Sequence, residues 1–231
     1  VAKIGIIGAM EEELRILREK MTITKEYTIA GAAFTEGLLE NHEVVVVLCG
    51  IGKVNAALTT TLLLNQGDFS AVINTGSAGA LKSGMEIGDI VISNEVAYHD
   101  VDVTAFGYLM GQVPQMPARY LADKALVEQA QLAAAETALP SHVGLIVSSD
   151  SFIASKEASE RILAHFPDVY ASEMEGAAIA QVAHRFKTPF VVVRAMSDTA
   201  SEEATVDFDT FIIEAGKRSA NFVCQLLTHL A

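Results

Sequence analysis

Tryptophan is absent from the 231 residues, and only two cysteines and five prolines occur. Cys49 and Cys224 cannot build a disulfide framework, and neither has metal-ligand spacing. Cys49 closes an apolar run and reads as a buried, inert thiol. A reducing, cytoplasmic setting is therefore the expectation. Basic charge is also scarce, with 16 Lys and Arg against 29 Asp and Glu and a net charge of −13. Nucleic acids and anionic membranes attract Lys and Arg, so neither is expected as a partner. Half of the residues are hydrophobic, yet no run approaches the roughly 18 to 20 apolar residues of a membrane span. The chain opens on Lys3–Gly8, a buried-strand pattern with neither a basic leader nor a small-residue cleavage site, so export is not expected.

What the chain does have is alternation. Residues 3–8 read as a strand buried on both faces, and Leu14, Ile16 and Leu17 place a helix over residues 11–20. Residues 22–29, 33–39 and 43–48 read as successive strands, with turns at Gly31 and Asn41-His42. Gly50-Ile51-Gly52 allows a tight turn into a helix over 54–65. Residues 71–74 form a further strand that the glycine-rich run 75–80 ends, and 89–96 continues the sheet. Residues 98–120 lack periodicity, and an ordered loop of that length in a compact domain is usually functional. Helices over 123–138 and 155–164 flank a strand at 143–147, and a last helix runs from about 207 to 230. No linker or repeat interrupts residues 1–231, so one domain with a mixed sheet is expected.

Four apolar runs end in polar or small-residue clusters: residues 4–8 into Glu11-Glu12-Glu13, 72–74 into Gly76-Ser77-Ala78-Gly79, 169–171 into Ser172-Glu173-Met174-Glu175, and 190–194 into Ser197-Asp198. Ligands of open α/β sheets bind beyond the carboxyl ends of strands, so four converging ends would make a cleft rich in carboxylates. A purely structural reading of the third cluster competes, with Ser172 as N-cap and the acids facing the positive end of a helix.

Other motifs are weaker. Gly5-Ile6-Ile7-Gly8 lacks the spacing of a dinucleotide fingerprint, and Gly50-Ile51-Gly52-Lys53 lacks the Ser or Thr of a phosphate loop. The six histidines are scattered, with only His99-Asp100 in an informative region, and no zinc ligand set stands out. Ser77 has no nucleophile elbow around it. No cofactor or metal is expected. Carboxylates in unlike environments can protonate a leaving group and activate water, as glycoside hydrolysis requires. Spacing alone does not say which acids pair.

The chain resembles the 5′-methylthioadenosine/S-adenosylhomocysteine nucleosidases of the nucleoside phosphorylase superfamily. The matching stretches are residues 3–13 (KIGIIGAMEEE), 50–54 (GIGKV), 72–80 (VINTGSAGA), 98–108 (YHDVDVTAFGY), 173–176 (EMEG) and 189–198 (PFVVVRAMSD). Val101 and Gly176 stand where the pattern has alanine, and Ser149 where it has glycine; no functional group is lost. The resemblance implies a single three-layer α/β/α sandwich with a mixed central sheet. It implies hydrolysis of the adenine–ribose bond, with Glu13 activating water, Asp198 protonating N7, and Glu175 binding the ribose hydroxyls. Met174 would pack under the ribose, while Ser77, Arg194 and Ser197 would help to bind and place substrate and water. Phe152 would stack on adenine and Ile153 would read its edge. Met10, Ile51 and Phe208 would surround the 5′-alkylthio group, and Val103, Phe106 and Pro114 of a homodimer partner would close the pocket.

Two other readings stay open at this level. A purine nucleoside phosphorylase would need cations for phosphate, yet Asn74 stands where its relatives carry arginine, and the acid-rich residues 11–13 repel phosphate. A nucleoside-binding protein without catalysis would use the same carboxylates for ribose alone.

Overall fold

A computed structural model describes residues 2–231. Among them lie ten strands and six α-helices: β1 (Lys3–Gly8), α1 (Glu11–Lys20), β2 (Thr22–Ile29), β3 (Ala32–Leu39), β4 (His42–Leu48), α2 (Lys53–Leu64), β5 (Phe69–Ala80), β6 (Ile90–Tyr98), β7 (Tyr120–Leu121), α3 (Lys124–Thr137), β8 (Ser141–Ser148), α4 (Lys156–His165), β9 (Val169–Glu173), α5 (Gly176–Phe186), β10 (Phe190–Asp198) and α6 (Ala204–His229). The long segment before β7 holds only one turn of 3-10 helix, Thr104–Phe106.

The sheet is mixed, as the short turns between the early strands require. β2, β3 and β4 run antiparallel, while β4, β1, β5 and β10 run parallel side by side. β6 pairs antiparallel with β10 and parallel with β8, β8 parallel with β9, and β9 antiparallel with the end of β5. These pairings close β5, β10, β6, β8 and β9 into a ring, so the sheet curls around the ends of β5 and β10.

Alternation along β1 sends its residues into two cores, as period-2 geometry demands. Ile4 and Ile6 pack with Leu14 and Leu17 of α1, Ala130 of α3 and Phe222 of α6. Ile7 faces the other way, against Leu63 of α2 and Ile179 and Ala183 of α5. Helices thus cover both faces of the sheet in three layers. Each buried Ile or Leu contributes roughly 1.5 to 3 kcal/mol. A third cluster packs Ile162 and Phe166, at the end of α4, against Leu145, Val147 and Ile153.

Two local expectations change. β5 does not stop at Asn74 but continues through the glycine-rich run to Ala80, because β10 pairs with it from Phe190↔Val72 to Asp198↔Gly79, with one register shift between Met196 and Asp198. Ser172 is not the N-cap of α5; it lies in β9 opposite Gly79. Glu173 meets the helix end instead, its carboxylate accepting the Gly176 N–H at 2.7 Å, while the Ser148 hydroxyl accepts from the Ala177 N–H at 2.9 Å.

Candidate active site

The ends of β1, β5, β9 and β10 do converge. Together with the starts of α1 and α6 they enclose a cavity of about 310 Å³. Met10, Glu13, Ile51, Ser77, Phe152, Met174, Glu175, Arg194, Ser197, Asp198 and Phe208, all singled out in the sequence, line it. Ile153 lies in an adjoining recess of about 20 Å³ beside Gly79, Met174 and Asp198. Val103, Phe106 and Pro114 do not line the cavity of their own chain; they lie on the irregular segment after β6, with Phe106 83% exposed.

Glu13 enters from the first turn of α1 and is buried. Its Oε2 accepts the N–H groups of Ala9 and Met10 at 2.8 and 3.0 Å, where the chain turns out of β1. Oε1 accepts the Ser77 N–H at 3.2 Å and, more weakly, the Ser77 hydroxyl at 3.4 Å. Burial pushes the Glu13 carboxyl up, while Arg194 and these three N–H groups pull it back. The group is held in place yet kept basic for a carboxylate.

Glu175 takes the residue before α5, where its Oε2 accepts the Gly52 N–H at 2.9 Å. Gly52 has a φ of 97°, open to glycine, and that conformation turns its N–H toward the cavity. Burial raises the Glu175 carboxyl, Arg194 lowers it, and the neighbouring Glu173 and Glu13 raise it again.

Arg194 is only 1% exposed, and its guanidinium is already engaged. It pairs with Glu173, donates to the Ser77 carbonyl at 2.9 Å and to Asn74 Oδ1 at 2.6 Å, and lies 3.5 Å from Glu175 Oε1. Asn74 is in turn fixed by donating to the Ile7 carbonyl at 2.9 Å. The sequence pattern did not show that Glu173 and Asn74 hold Arg194. Glu173 joins the cation of β10 to the start of α5, and the doubled acid at the end of β9 was the one signal of it.

Asp198 ends β10 at the opposite side of the cavity wall from Glu13 along β5. Its Oδ1 accepts the Ala200 N–H at 2.8 Å, and its Oδ2 the Ser197 hydroxyl at 3.1 Å. Burial pushes this carboxyl up; the Ala200 and Ser197 bonds oppose that, and Asp207 adds to it. A carboxyl shifted upward in this way is moved toward the range in which a general acid works.

Two glycines of β5 make room for these acids. A Cβ on Gly76 would lie 2.7 Å from Glu13 Oε1 and 2.8 Å from Arg194 Nη1; one on Gly79 would lie 2.7 Å from Asp198 Oδ1. The two acids thus meet β5 three residues apart, about 10 Å of strand. Apolar groups fill the rest: Phe152 packs edge-on against Phe208 with ring centroids 5.5 Å apart, beside Met10, Ile51 and Thr205. Lys53 ties the rim together, bonding Asp100 at 2.8 Å while its N–H bonds Asp150 at 2.8 Å. His99 itself does not line the cavity. Among the described residues, no three His, Cys, Asp or Glu side chains group to hold a metal ion.

A sequence model of the phosphorylase superfamily matches residues 3–228. A curated 5′-methylthioadenosine/S-adenosylhomocysteine nucleosidase of Staphylococcus carnosus (strain TM300) is 52% identical over 227 residues, which are 98% of this chain and 100% of that protein. The crystal structure of the nucleosidase of that name from Neisseria meningitidis, in complex with methylthio-immucillin-A, superposes with a TM-score of 0.97 at 46% identity and covers 100% of both chains. The futalosine hydrolase of Helicobacter pylori superposes with a TM-score of 0.95 at 35% identity, over 100% of this chain and 99% of its own.

Proposed function

Because the chain belongs to the phosphorylase superfamily, and within it to the 5′-methylthioadenosine/S-adenosylhomocysteine nucleosidases, we propose that it hydrolyses the N-glycosidic bond of these two nucleosides. The products are adenine and the corresponding thioribose, and 5′-deoxyadenosine is a further substrate. One observation carries the choice of water over phosphate. Arg194 is the cavity's single cationic side chain among the described residues, and Glu173, Glu175, Asn74 and the Ser77 carbonyl already engage both of its Nη atoms. A phosphate would enter a cavity lined by the carboxylates of Glu13, Glu173 and Glu175. Water meets no such repulsion.

In this reading Glu13 accepts a proton from water as its oxygen attacks C1′. The C1′–N9 bond breaks, its electrons move into the purine, and Asp198 gives N7 a proton. General acid catalysis of this kind contributes about 100- to 10,000-fold. Glu175, fixed by Gly52 and Arg194, keeps free lone pairs for the ribose hydroxyls, and its charge stabilises the cationic sugar. Met174 lies under the ribose, and Ser77 places the water, with Arg194 acting through the Ser77 carbonyl that it holds. Ser197 steadies Asp198. Phe152 and Ile153 hold adenine, and Met10, Ile51 and Phe208 take the alkylthio end. Glu13 and Asp198 act on opposite sides of C1′, the arrangement that gives inversion.

A homodimer completes the site. Ile51 and Val54 are exposed beside the Lys53–Asp100 bridge, which joins them to the segment bearing Val103, Phe106, Leu109 and Pro114. Exposed apolar groups gathered next to a cleft favour burial against a second copy. No helix among the described residues is long and apolar enough to cross a membrane. Adenine release from methylthioadenosine in phosphate-free buffer tests the proposal; intact nucleoside would refute it and leave binding alone.

A further inference from the structure

Ala200 is a buried alanine with a φ of +50°, in the left-handed region that L-residues rarely occupy. Asparagine or aspartate can support that conformation with a local side-chain bond, and alanine cannot. Such a residue persists only where its surroundings over-determine it. Here three contacts do so. Its N–H is aimed at Asp198 Oδ1, 2.8 Å away. Its methyl belongs to the cluster of Ile153, Ile162 and Phe166. Its carbonyl accepts the hydroxyl of Ser159, at 2.5 Å, from the middle of α4.

Serine within a helix commonly bonds the carbonyl one turn back. The Ser159 N–H does meet the Ser155 carbonyl at 3.1 Å, yet its hydroxyl reaches out of the helix to Ala200. A second strap lies beside it, since the Lys156 N–H donates to Glu202 Oε1 at 2.8 Å. The turn after β10 is therefore fastened to α4 at two points, and neither Ser159 nor Lys156 lines the cavity.

We propose that Ser159 is a positioning residue for the leaving-group acid: by holding the Ala200 carbonyl it keeps Ala200 in its left-handed conformation, which aims the N–H on the other side of that residue at the Asp198 carboxyl. The proposal rests on the reading of Asp198 as the acid. The Ala200 N–H is an obligate donor, so Oδ1 is held as the accepting oxygen and the proton of the neutral acid resides on Oδ2. The Ser197 hydroxyl, donor or acceptor, suits either state of Oδ2. Without Ser159 the left-handed turn relaxes, Oδ1 loses its partner, and the proton is no longer delivered from one atom in one direction.

The test compares wild type, Ser159→Ala, Ser159→Thr and Asp198→Asn on two substrates. Methylthioadenosine needs a proton on its leaving base; the 4-nitrophenyl 5-methylthioriboside releases a stable anion without one. Ser159→Ala is expected to lower kcat for methylthioadenosine about tenfold, part of the 100- to 10,000-fold span of a general acid, with KM little changed. Nitrophenolate release stays near wild type, and Ser159→Thr, which keeps the hydroxyl, restores kcat. Ser159→Cys, nearly isosteric with a weak donor, gives the same split should alanine unfold the turn. Wild-type kcat in Ser159→Ala, or equal loss on both substrates in a folded variant, overturns the positioning role. Asp198→Asn that loses both substrates equally overturns the acid assignment and the proposal with it.

Discussion

Adding one methyl group to Gly76 should damage the site more than its size suggests. The Cβ of Gly76→Ala would lie 2.7 Å from Glu13 Oε1, 2.9 Å from its Cδ and 2.8 Å from Arg194 Nη1. A flexible side chain would swing aside, but neither of these can do so freely. Glu13 is held by the N–H groups of Ala9, Met10 and Ser77, and Arg194 by Glu173, Asn74 and the Ser77 carbonyl. Overpacking of a rigid interior costs about 1 to 3 kcal/mol. For a domain of this size each kcal/mol lowers Tm by roughly 2 to 4 °C, so the loss should be about 2 to 12 °C. Activity should suffer more, because displacing a reacting group by an ångström costs on the order of 100-fold. The assays are thermal melting by circular dichroism and adenine release under saturating methylthioadenosine. A folded Gly76→Ala enzyme with wild-type turnover and Tm would refute the packing of Glu13 and Arg194 around this glycine.

Glu13→Gln and Asp198→Asn keep shape but cannot transfer a proton, so turnover should fall by about 100- to 10,000-fold while nucleoside binding, followed by calorimetry, largely survives. Asp198→Asn should also melt above wild type at neutral pH. Burial raises the folded-state pKa of Asp198 above 3.8, so the native state binds more protons in that window and stability falls as pH rises through it. Asparagine removes this cost, and the gain should vanish below pH 3.8, where both states of Asp198 are protonated. Phe106→Ala should shift the preference for methylthioadenosine over adenosine by roughly 10- to 200-fold, the worth of an apolar contact at the 5′ end. An unchanged kcat/KM ratio in a dimer verified by sedimentation would remove this segment from the pocket.

Most elements were legible because their side chains alternate or recur with helical period, as in Lys3–Gly8 and Glu11–Lys20. The extension of β5 through Thr75-Gly76-Ser77-Ala78-Gly79-Ala80 was not, because glycine and serine have little strand preference of their own. Their conformation is imposed by β10 alongside and by acids that approach too closely for a Cβ. The meeting of four strand ends was legible as four clusters in the sequence. Their internal pairing was not: Arg194 reaches Asn74 across 120 residues and Gly52 reaches Glu175 across 123. Glu173 and Glu175 were read alike as acids at a helix start, since only packing shows that Glu173 meets α5 and Arg194 while Glu175 meets Gly52 and Arg194. The segment between β6 and β7 was legible as irregular, but the pattern did not show that Phe106 stands exposed, away from the cavity of its own chain.

In the proposed reaction, water activated by Glu13 attacks the sugar in a cavity whose cation is already engaged by protein groups. Turnover of methylthioadenosine followed by phosphorus NMR in phosphate buffer tests it most directly. Adenine and free methylthioribose are the expected products, with a rate indifferent to added phosphate and no new phosphate ester signal. A resonance from methylthioribose 1-phosphate, growing with phosphate concentration, would contradict it.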